Sequence, residues 1–442
     1  FAGTLNQNGA IDVRVTQHAS QSTLSRIIQM VEEAQHRKAP SQRFLDEFEQ
    51  YYALLVIGAS ALVLAVPWLL LGHDFQPSFY RSMVLLVVAS PCALVISVPA
   101  AFLSAIAAGA RRGVIFKGGA HLEQMSTVKV VAFDKTGTLT AGRPSVTDVV
   151  PNNGASEAEL LRVAGAVEAR SEHPLSLAVR DAAESRGIAL EPVEAFEAVT
   201  GQGVVGKLDG ELARVGRLSF IESCAGHPPE DLMAAHDRLR SEGKTVLFTC
   251  WNGRWMGVLA VADRIRPESA ALVNELHNSG VERVVMLTGD NERVGQAIAR
   301  EAGIDQVYAE LMPDDKARIM TELEQEVGPV AMVGDGVNDA PALAAATVGI
   351  AMGAAGTDVA LETADVVLMG DDLMTIPYAI KLSRRARRVV WQNIAFALSV
   401  IVVLVIGTFL VELPLPVGVI GHEGSTVIVV LNGLRLLVAR DG

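Results

Sequence analysis

Residues 129–140 read KVVAFDKTGTLT, and the rest of the chain is best understood outward from them. The run Val130, Val131, Ala132, Phe133 carries no polar residue, the mark of a strand covered on both faces in a parallel sheet. It stops at Asp134, and Lys135, Thr136, Gly137 and Thr138 follow. A carboxylate at a strand end, in a loop of glycine and hydroxyl residues whose backbone N–H groups can face phosphate, is a candidate phosphoryl acceptor. An ordinary strand-end aspartate turn has the same ingredients, so the assignment depends on what the chain supplies elsewhere.

Two later segments repeat the pattern. Residues 281–290 read VERVVMLTGD and residues 328–336 read GPVAMVGDG, each an apolar run ending in a Gly-Asp turn, with helical patterns between them. This order predicts a parallel α/β sheet with its functional groups at the strand C-termini. Thr288, Gly289 and Asp290 close one strand, Lys316 follows in MPDDKAR, and Asp335, Asn338 and Asp339 close another. Together they offer a nucleophile, a hydroxyl and a cation for phosphate oxygens, and carboxylates for Mg²⁺. Residues 146–257, inserted between the first and second strands, are numerous enough to form a domain of their own.

In this order and spacing, DKTGTLT, TGD and GDGVNDAPAL resemble the P-type ATPase family, built on a haloacid-dehalogenase-like phosphorylation domain. The resemblance implies that Asp134 is phosphorylated, with Lys135, Thr136, Gly137 and Thr138 as its catalytic loop. It implies that Thr288 and Lys316 contact phosphate beside Gly289 and Asp290, and that Mg²⁺ is held by Asp134, the Thr136 carbonyl and Asp335, supported by Asn338 and Asp339. Related phosphatases carry an acid where this chain has Thr136, a difference that would let an aspartyl phosphate persist. Within the insertion, Ser171-Glu172-His173-Pro174-Leu175 and Gly201-Gln202-Gly203 resemble the nucleotide-domain motifs of the heavy-metal branch, type IB. Glu168 and His173 would then contact the adenine of ATP, and Gly201 and Gly203 would let backbone approach the nucleotide. Arg217 stands where several relatives have Asn, which leaves that contact open.

The composition fits a protein partly in lipid: half the residues are apolar, yet the net charge is −13. That charge argues against nucleic acid as a partner. Cys92, Cys224 and Cys250 are too scattered for a disulfide framework or a zinc site of paired cysteines, so a reducing compartment is expected for the soluble part. Residues 51–71 contain no charge over the roughly 20 residues that span a bilayer. A second apolar stretch, 83–110, is interrupted by Ser90-Pro91-Cys92 and by Pro99, and two more cover 394–411 and 415–438. The links 72–78 and 411–418 lack Lys and Arg, whereas Arg111, Arg112, Lys117, Arg384, Arg385, Arg387 and Arg388 sit at the opposite ends. The positive-inside rule therefore makes 113–390 cytoplasmic, in an integral protein of the plasma (inner) membrane. The first residue is Phe1, and FAGTLNQNGAIDVRV alternates like a strand inside a folded domain, so an excised start is expected.

Two constellations in the spans bear on a transported ion. Pro91 removes a backbone donor and frees carbonyls near the Ser90 hydroxyl and the soft Cys92 thiol. His422, Glu423 and Thr426 fall in an otherwise apolar stretch, spaced so that one helix face could present imidazole, carboxylate and hydroxyl. Ser-Pro-Cys with His-Glu-Gly-Ser-Thr and Asn432-Gly433-Leu434-Arg435 is similar to the cobalt-type subgroup. Copper pumps generally pair two cysteines in the first motif, and zinc, cadmium and lead pumps usually carry Asp in the last span. A site of nitrogen, oxygen and one sulfur suits a borderline divalent ion such as Co²⁺, Zn²⁺, Ni²⁺ or Fe²⁺ better than Cu⁺, and the resemblance puts Co²⁺ first.

The expected architecture is a transmembrane helical bundle plus an α/β haloacid-dehalogenase-like domain carrying an inserted α+β nucleotide domain. Its segments are 1–40, the tail of an actuator domain; 41–112, two spans; 113–145 with 258–380, the phosphorylation domain; 146–257, the nucleotide domain; and 381–442, two spans. The expected activity is ATP-driven export of a divalent transition metal by a monomer in a lipid bilayer. The family's Thr-Gly-Glu loop is not among these residues, so poor turnover of the 442-residue chain is expected. The rivals are a membrane-anchored phosphatase without transport and a non-catalytic metal-binding membrane protein.

Overall fold

The computed structural model describes residues 40–438 apart from 172, 200, 336–338, 354–361 and 371. The expected actuator tail and Asn338 lie outside the described residues. The chain divides into two compact units, one made of Phe1–Arg111, Ile115–Glu123 and Arg385–Gly442, the other of Arg112–Val114 and Gln124–Arg384.

Four segments are long and apolar enough to cross a membrane: Glu47–Leu70, Phe75–Ala110, Thr375–Leu410 and Leu415–Val438. They match the four spans read from the sequence. The second is two helices, Phe75–Val88 and Cys92–Ala110, broken where Pro91 has no N–H to donate. Pro99 was expected to break this span as well, but it sits inside the Cys92–Ala110 helix. Serine hydroxyls add local bonds in this helix, Ser97 Oγ donating to the Leu94 carbonyl at 2.8 Å. Along Leu415–Leu434, the buried residues Gly418, His422, Ser425, Val429 and Gly433 recur at helical spacing and form one inward stripe.

The chain forms two sheets, all of whose strands after the first belong to the second unit. The strands in chain order are β1 (Val114–Phe116), β2 (Val130–Asp134), β3 (Thr140–Pro151), β4 (Glu194–Val199), β5 (Gly203–Leu208), β6 (Glu211–Gly216) and β7 (Thr245–Trp251). After them come β8 (Arg254–Ile265), β9 (Arg283–Leu287), β10 (Gln306–Tyr308), β11 (Val330–Gly334), β12 (Val348–Met352) and β13 (Val366–Leu368). One sheet has the order β1-β13-β12-β11-β2-β9-β10, with β10 through β13, β2 and β9 paired in parallel. β2 and β11 are buried at every residue, as their unbroken apolar runs require. The other sheet is antiparallel, β3-β8-β7-β6-β5-β4, with helices Glu157–Glu168 and Pro174–Ser185 packed on one core.

The boundaries read at 145 and 258 cut through continuous structure. β3 and β8 pair from Thr140↔Ile265 to Pro151↔Gly257, so the inserted region is carried on one long two-stranded arm. The sequence hid this because both strands read as ordinary β-rich runs on either side of the break.

Candidate active site and ion pathway

β2 lies between β11 and β9, so the residues that end these three strands meet at one edge of the sheet. Asp134 is the last residue of β2 and only 7 % exposed. Its Oδ1 accepts from Lys316 Nζ at 2.5 Å and its Oδ2 from the Thr136 N–H at 2.9 Å. Lys316, from the Pro313–Glu326 helix, also donates to Asp339 Oδ1 at 2.7 Å. Oxygens of Asp134, Asp335 and Asp339 all lie within 4.8 Å of one another.

Burial, then the Asp339 charge, raises the Asp134 carboxyl above its ordinary range, while Lys316 and the Thr136 N–H pull the other way. Asp335 is pushed up to about 6 by burial and by the Asp134 and Asp339 charges. Burial works against the Lys316 ammonium, but Asp134 and Asp339 outweigh it and hold the group above its ordinary value. Three carboxylates thus share one ammonium, an excess of negative charge suited to a hard divalent cation with oxygen ligands.

Lys135 pairs with Asp290 at 2.5 Å, and the Asp290 N–H donates to Thr288 Oγ1 at 3.1 Å, with Gly289 between them. Thr288, Lys316 and Thr138 are buried, and the Thr138 hydroxyl has no hydrogen-bond partner. The structure therefore brings Asp134, Thr136, Lys316, Asp335 and Asp339 together and pairs Lys135 with Asp290.

Two participants were missed. Arg266 donates through Nε to the Thr138 carbonyl at 2.9 Å and the Thr140 carbonyl at 3.3 Å, and through Nη2 to the Gly137 carbonyl at 3.4 Å. Asp263 Oδ2 accepts from Thr140 Oγ1 at 2.5 Å, and Thr140 Oγ1 accepts from the Gly137 N–H at 3.2 Å. Both residues arrive with the return of the β8 arm, far along the chain from the loop they hold, and no local spacing links them to it.

In the antiparallel half, Glu168, His173, Gly201 and Gly203 line a single cavity of about 360 Å³, together with Arg217, whose role the sequence left open. His173 caps the Pro174–Ser185 helix, its Nδ1 accepting from the Leu175 N–H at 3.2 Å. Glu168 is buried and accepts from Ser176 Oγ at 2.5 Å. Burial pushes its carboxyl up to about 7, against the pull of that hydroxyl. Gly203 has a second reason to be glycine: a Cβ there would sit 2.2 Å from the Val215 carbonyl oxygen of the neighbouring strand.

In the first unit, Ser90 Oγ and Cys92 Sγ are 3.1 Å apart at the helix break. Tyr52 Oη donates to the Ala89 carbonyl at 2.9 Å, so a carbonyl at the break already has a partner. His422 is buried and Thr426 half-buried, with Thr426 Oγ1 3.4 Å from the His422 carbonyl. The Glu423 side chain is 64 % exposed, 3.9 Å from His422 Nε2. Residues 421–426 are helical within a membrane-length segment rather than a loop. Among the described residues, the Asp134, Asp335 and Asp339 set is the one group of three His, Cys, Asp or Glu ligands drawn together, so Cys92, His422 and Glu423 do not close into such a set here.

Comparison with known proteins gives a consistent picture. Residues 128–347 match the haloacid dehalogenase-like hydrolase family. The zinc-transporting ATPase of Bacillus subtilis (strain 168) is 47 % identical over 438 residues, covering 99 % of this chain and 68 % of that protein. The probable cadmium-transporting ATPase of Alkalihalophilus pseudofirmus is 44 % identical, covering 100 % of this chain and 62 % of its own length. The crystal structure of a zinc-transporting PIB-type ATPase in its E2.Pi state superposes with a TM-score of 0.81 at 42 % identity, over 96 % of this chain and 68 % of that one. The chain thus spans about two thirds of these relatives' length, and with that extent of identity, carried through both units, it belongs to the type IB P-type ATPases, membrane-embedded ATPases of heavy-metal cations.

Proposed function

We propose that this protein exports a divalent transition-metal cation across its membrane, driven by ATP through an aspartyl phosphate at Asp134. The observation that carries the reading is the meeting of Asp134 and Asp335, which stand at the ends of adjacent parallel strands, with Lys316 of the Pro313–Glu326 helix and with Asp339. The Asp134 carboxylate attacks the γ-phosphoryl group of ATP and releases ADP, while Lys316 fixes one carboxylate oxygen and leaves the other to react. Lys316 and Thr288 then face the transferred phosphoryl oxygens. The base and sugar occupy the cavity of Glu168, His173 and Arg217. Mg²⁺, held by Asp134, Asp335 and the Thr136 carbonyl with Asp339 and Asn338 in support, would neutralise charge on the phosphoryl oxygens.

The cation is substrate, taken up between the Cys92 and His422 helices and released on the side of the links at 72–78 and 411–418. One sulfur, imidazole and oxygens suit a borderline divalent ion; the resemblance to the cobalt-type subgroup puts Co²⁺ first, and the relatives named for zinc and cadmium add Zn²⁺ and Cd²⁺ to the ions to test. The excess of Arg at 384–388 and 111–112 supports a cytoplasmic 113–390 region. Labelling with γ-phosphate-labelled ATP tests the chemistry: wild type forms acid-stable, hydroxylamine-labile phosphoprotein and Asp134→Asn forms none. Label of the same stability in Asp134→Asn overturns the assignment.

A further inference from the structure

The sulfurs of Cys224 and Cys250 lie 2.7 Å apart, and the pump cycle has no use for either. Cys224 is in the Leu218–Ala225 helix and half-buried; Cys250 is in β7 and buried. Sulfurs this close need only small side-chain rotations to join. Zinc-like ions require further donors, and among the described residues no third His, Cys, Asp or Glu ligand closes on the pair. Arg214 stands opposite Cys250 in the β6–β7 register, and its Nη1 donates to Ser223 Oγ, next to Cys224, at 3.1 Å. The Arg214 guanidinium thus bridges the strand that carries Cys250 and the residue beside Cys224.

We propose that Cys224 and Cys250 form an oxidisable dithiol that hydroperoxides convert to a reversible disulfide. Cys224, the more exposed, reacts first: its sulfur takes the terminal peroxide oxygen, the O–O bond breaks, and the thiol proton passes to the departing oxygen, so that alcohol or water leaves and sulfenic acid remains. The Cys250 sulfur then attacks that sulfenic sulfur, the S–O bond breaks, and the Cys250 proton leaves with the hydroxyl as water. Burial and the neighbouring Cys224 push the Cys250 thiol up to about 12, which keeps it from reacting first, and its sulfur, 2.7 Å from that of Cys224, is placed for the second step. The bond would tie the helix that begins after Arg217 to β7, and Arg217, Thr245, Val246 and Leu247 all line the proposed nucleotide cavity. Oxidation would thus clamp two walls of that cavity.

The test treats the purified membrane protein with hydrogen peroxide in the presence of a chelator, alkylates remaining thiols after denaturation and maps the peptides. The expected result is a Cys224–Cys250 crosslink with Cys92 alkylated, an intact mass lower by two hydrogens before alkylation, and full reversal by dithiothreitol. In Cys250→Ser, Cys224 stops at sulfenic acid and is trapped by dimedone; should that variant fail to fold, the wild-type map decides alone. Alkylation of both cysteines after peroxide, a crosslink to Cys92, or sulfinic acid at Cys224 of the wild type overturns the proposal. Protection of both thiols by Zn²⁺ or Cd²⁺ alone, without a peroxide-induced crosslink, overturns it in favour of a metal site.

Discussion

Replacing Gly137 by alanine isolates the geometry on which phosphoryl transfer rests. Gly137 has φ +74°, and an ideal Cβ built there falls 1.8 Å from Asp335 Oδ2 and 2.7 Å from its Cγ. Ordinary contact begins at 3.4 Å, so the Asp335 carboxylate must retreat by roughly 1.5 Å, and a displacement of about 1 Å at a reacting centre can cost about 100-fold in rate. The left-handed backbone adds about 1–2 kcal/mol of strain. Gly303→Ala supplies the control, because Gly303 has φ +73° but nothing within 4 Å of its added Cβ. Rapid-quench phosphorylation should show Gly137→Ala slowed by about 100-fold or more, with nucleotide affinity unchanged. Gly303→Ala should melt at lower temperature yet phosphorylate near the wild-type rate. Near-normal phosphorylation of Gly137→Ala, or equal slowing in both variants, would refute the reasoning.

Further predictions follow from other parts of the molecule. The Glu168 carboxyl titrates at about 7 in the folded chain against an ordinary 4.5, so the folded state holds this proton more tightly. Its stabilising contribution is complete below pH 4.5 and lost as pH rises to about 7, a difference of about 3 kcal/mol. Glu168→Gln should therefore raise the melting temperature of the nucleotide domain at pH 8 and leave it nearly unchanged near pH 4.5; the opposite trend contradicts the assignment. Arg266→Met removes the donor shared by the Gly137, Thr138 and Thr140 carbonyls, so phosphoenzyme formation should fall by at least about 10-fold while circular dichroism stays native. Tyr52→Phe leaves the Ala89 carbonyl without its side-chain donor and should destabilise the membrane unit by about 1 kcal/mol, read as a lower melting temperature in detergent.

The central strands were legible because parallel strands covered on both faces read as unbroken apolar runs, and β2, β9 and β11 each stop where polar chemistry begins. The four spans were legible for a similar reason, since lipid imposes length and composition together. Arg266 and Asp263 were not, because their place at the loop depends on how the β3–β8 arm closes. Pro99 misled because a proline removes one backbone bond from a membrane helix without necessarily ending it. The pairing of Cys224 with Cys250 was equally invisible: 26 residues of chain separate them, and only the packing of a helix on β7 joins them.

Cation-dependent phosphorylation tests the central claim most directly. Phosphoenzyme formed from ATP is measured across Co²⁺, Zn²⁺, Cd²⁺, Ni²⁺ and Fe²⁺, in wild type and in the double variant Cys92→Ser, His422→Ala. The account predicts that at least one of these ions stimulates labelling of Asp134 in wild type and that the double variant loses the stimulation while still binding ATP. Labelling that is indifferent to every ion, or equally stimulated in the double variant, would contradict it.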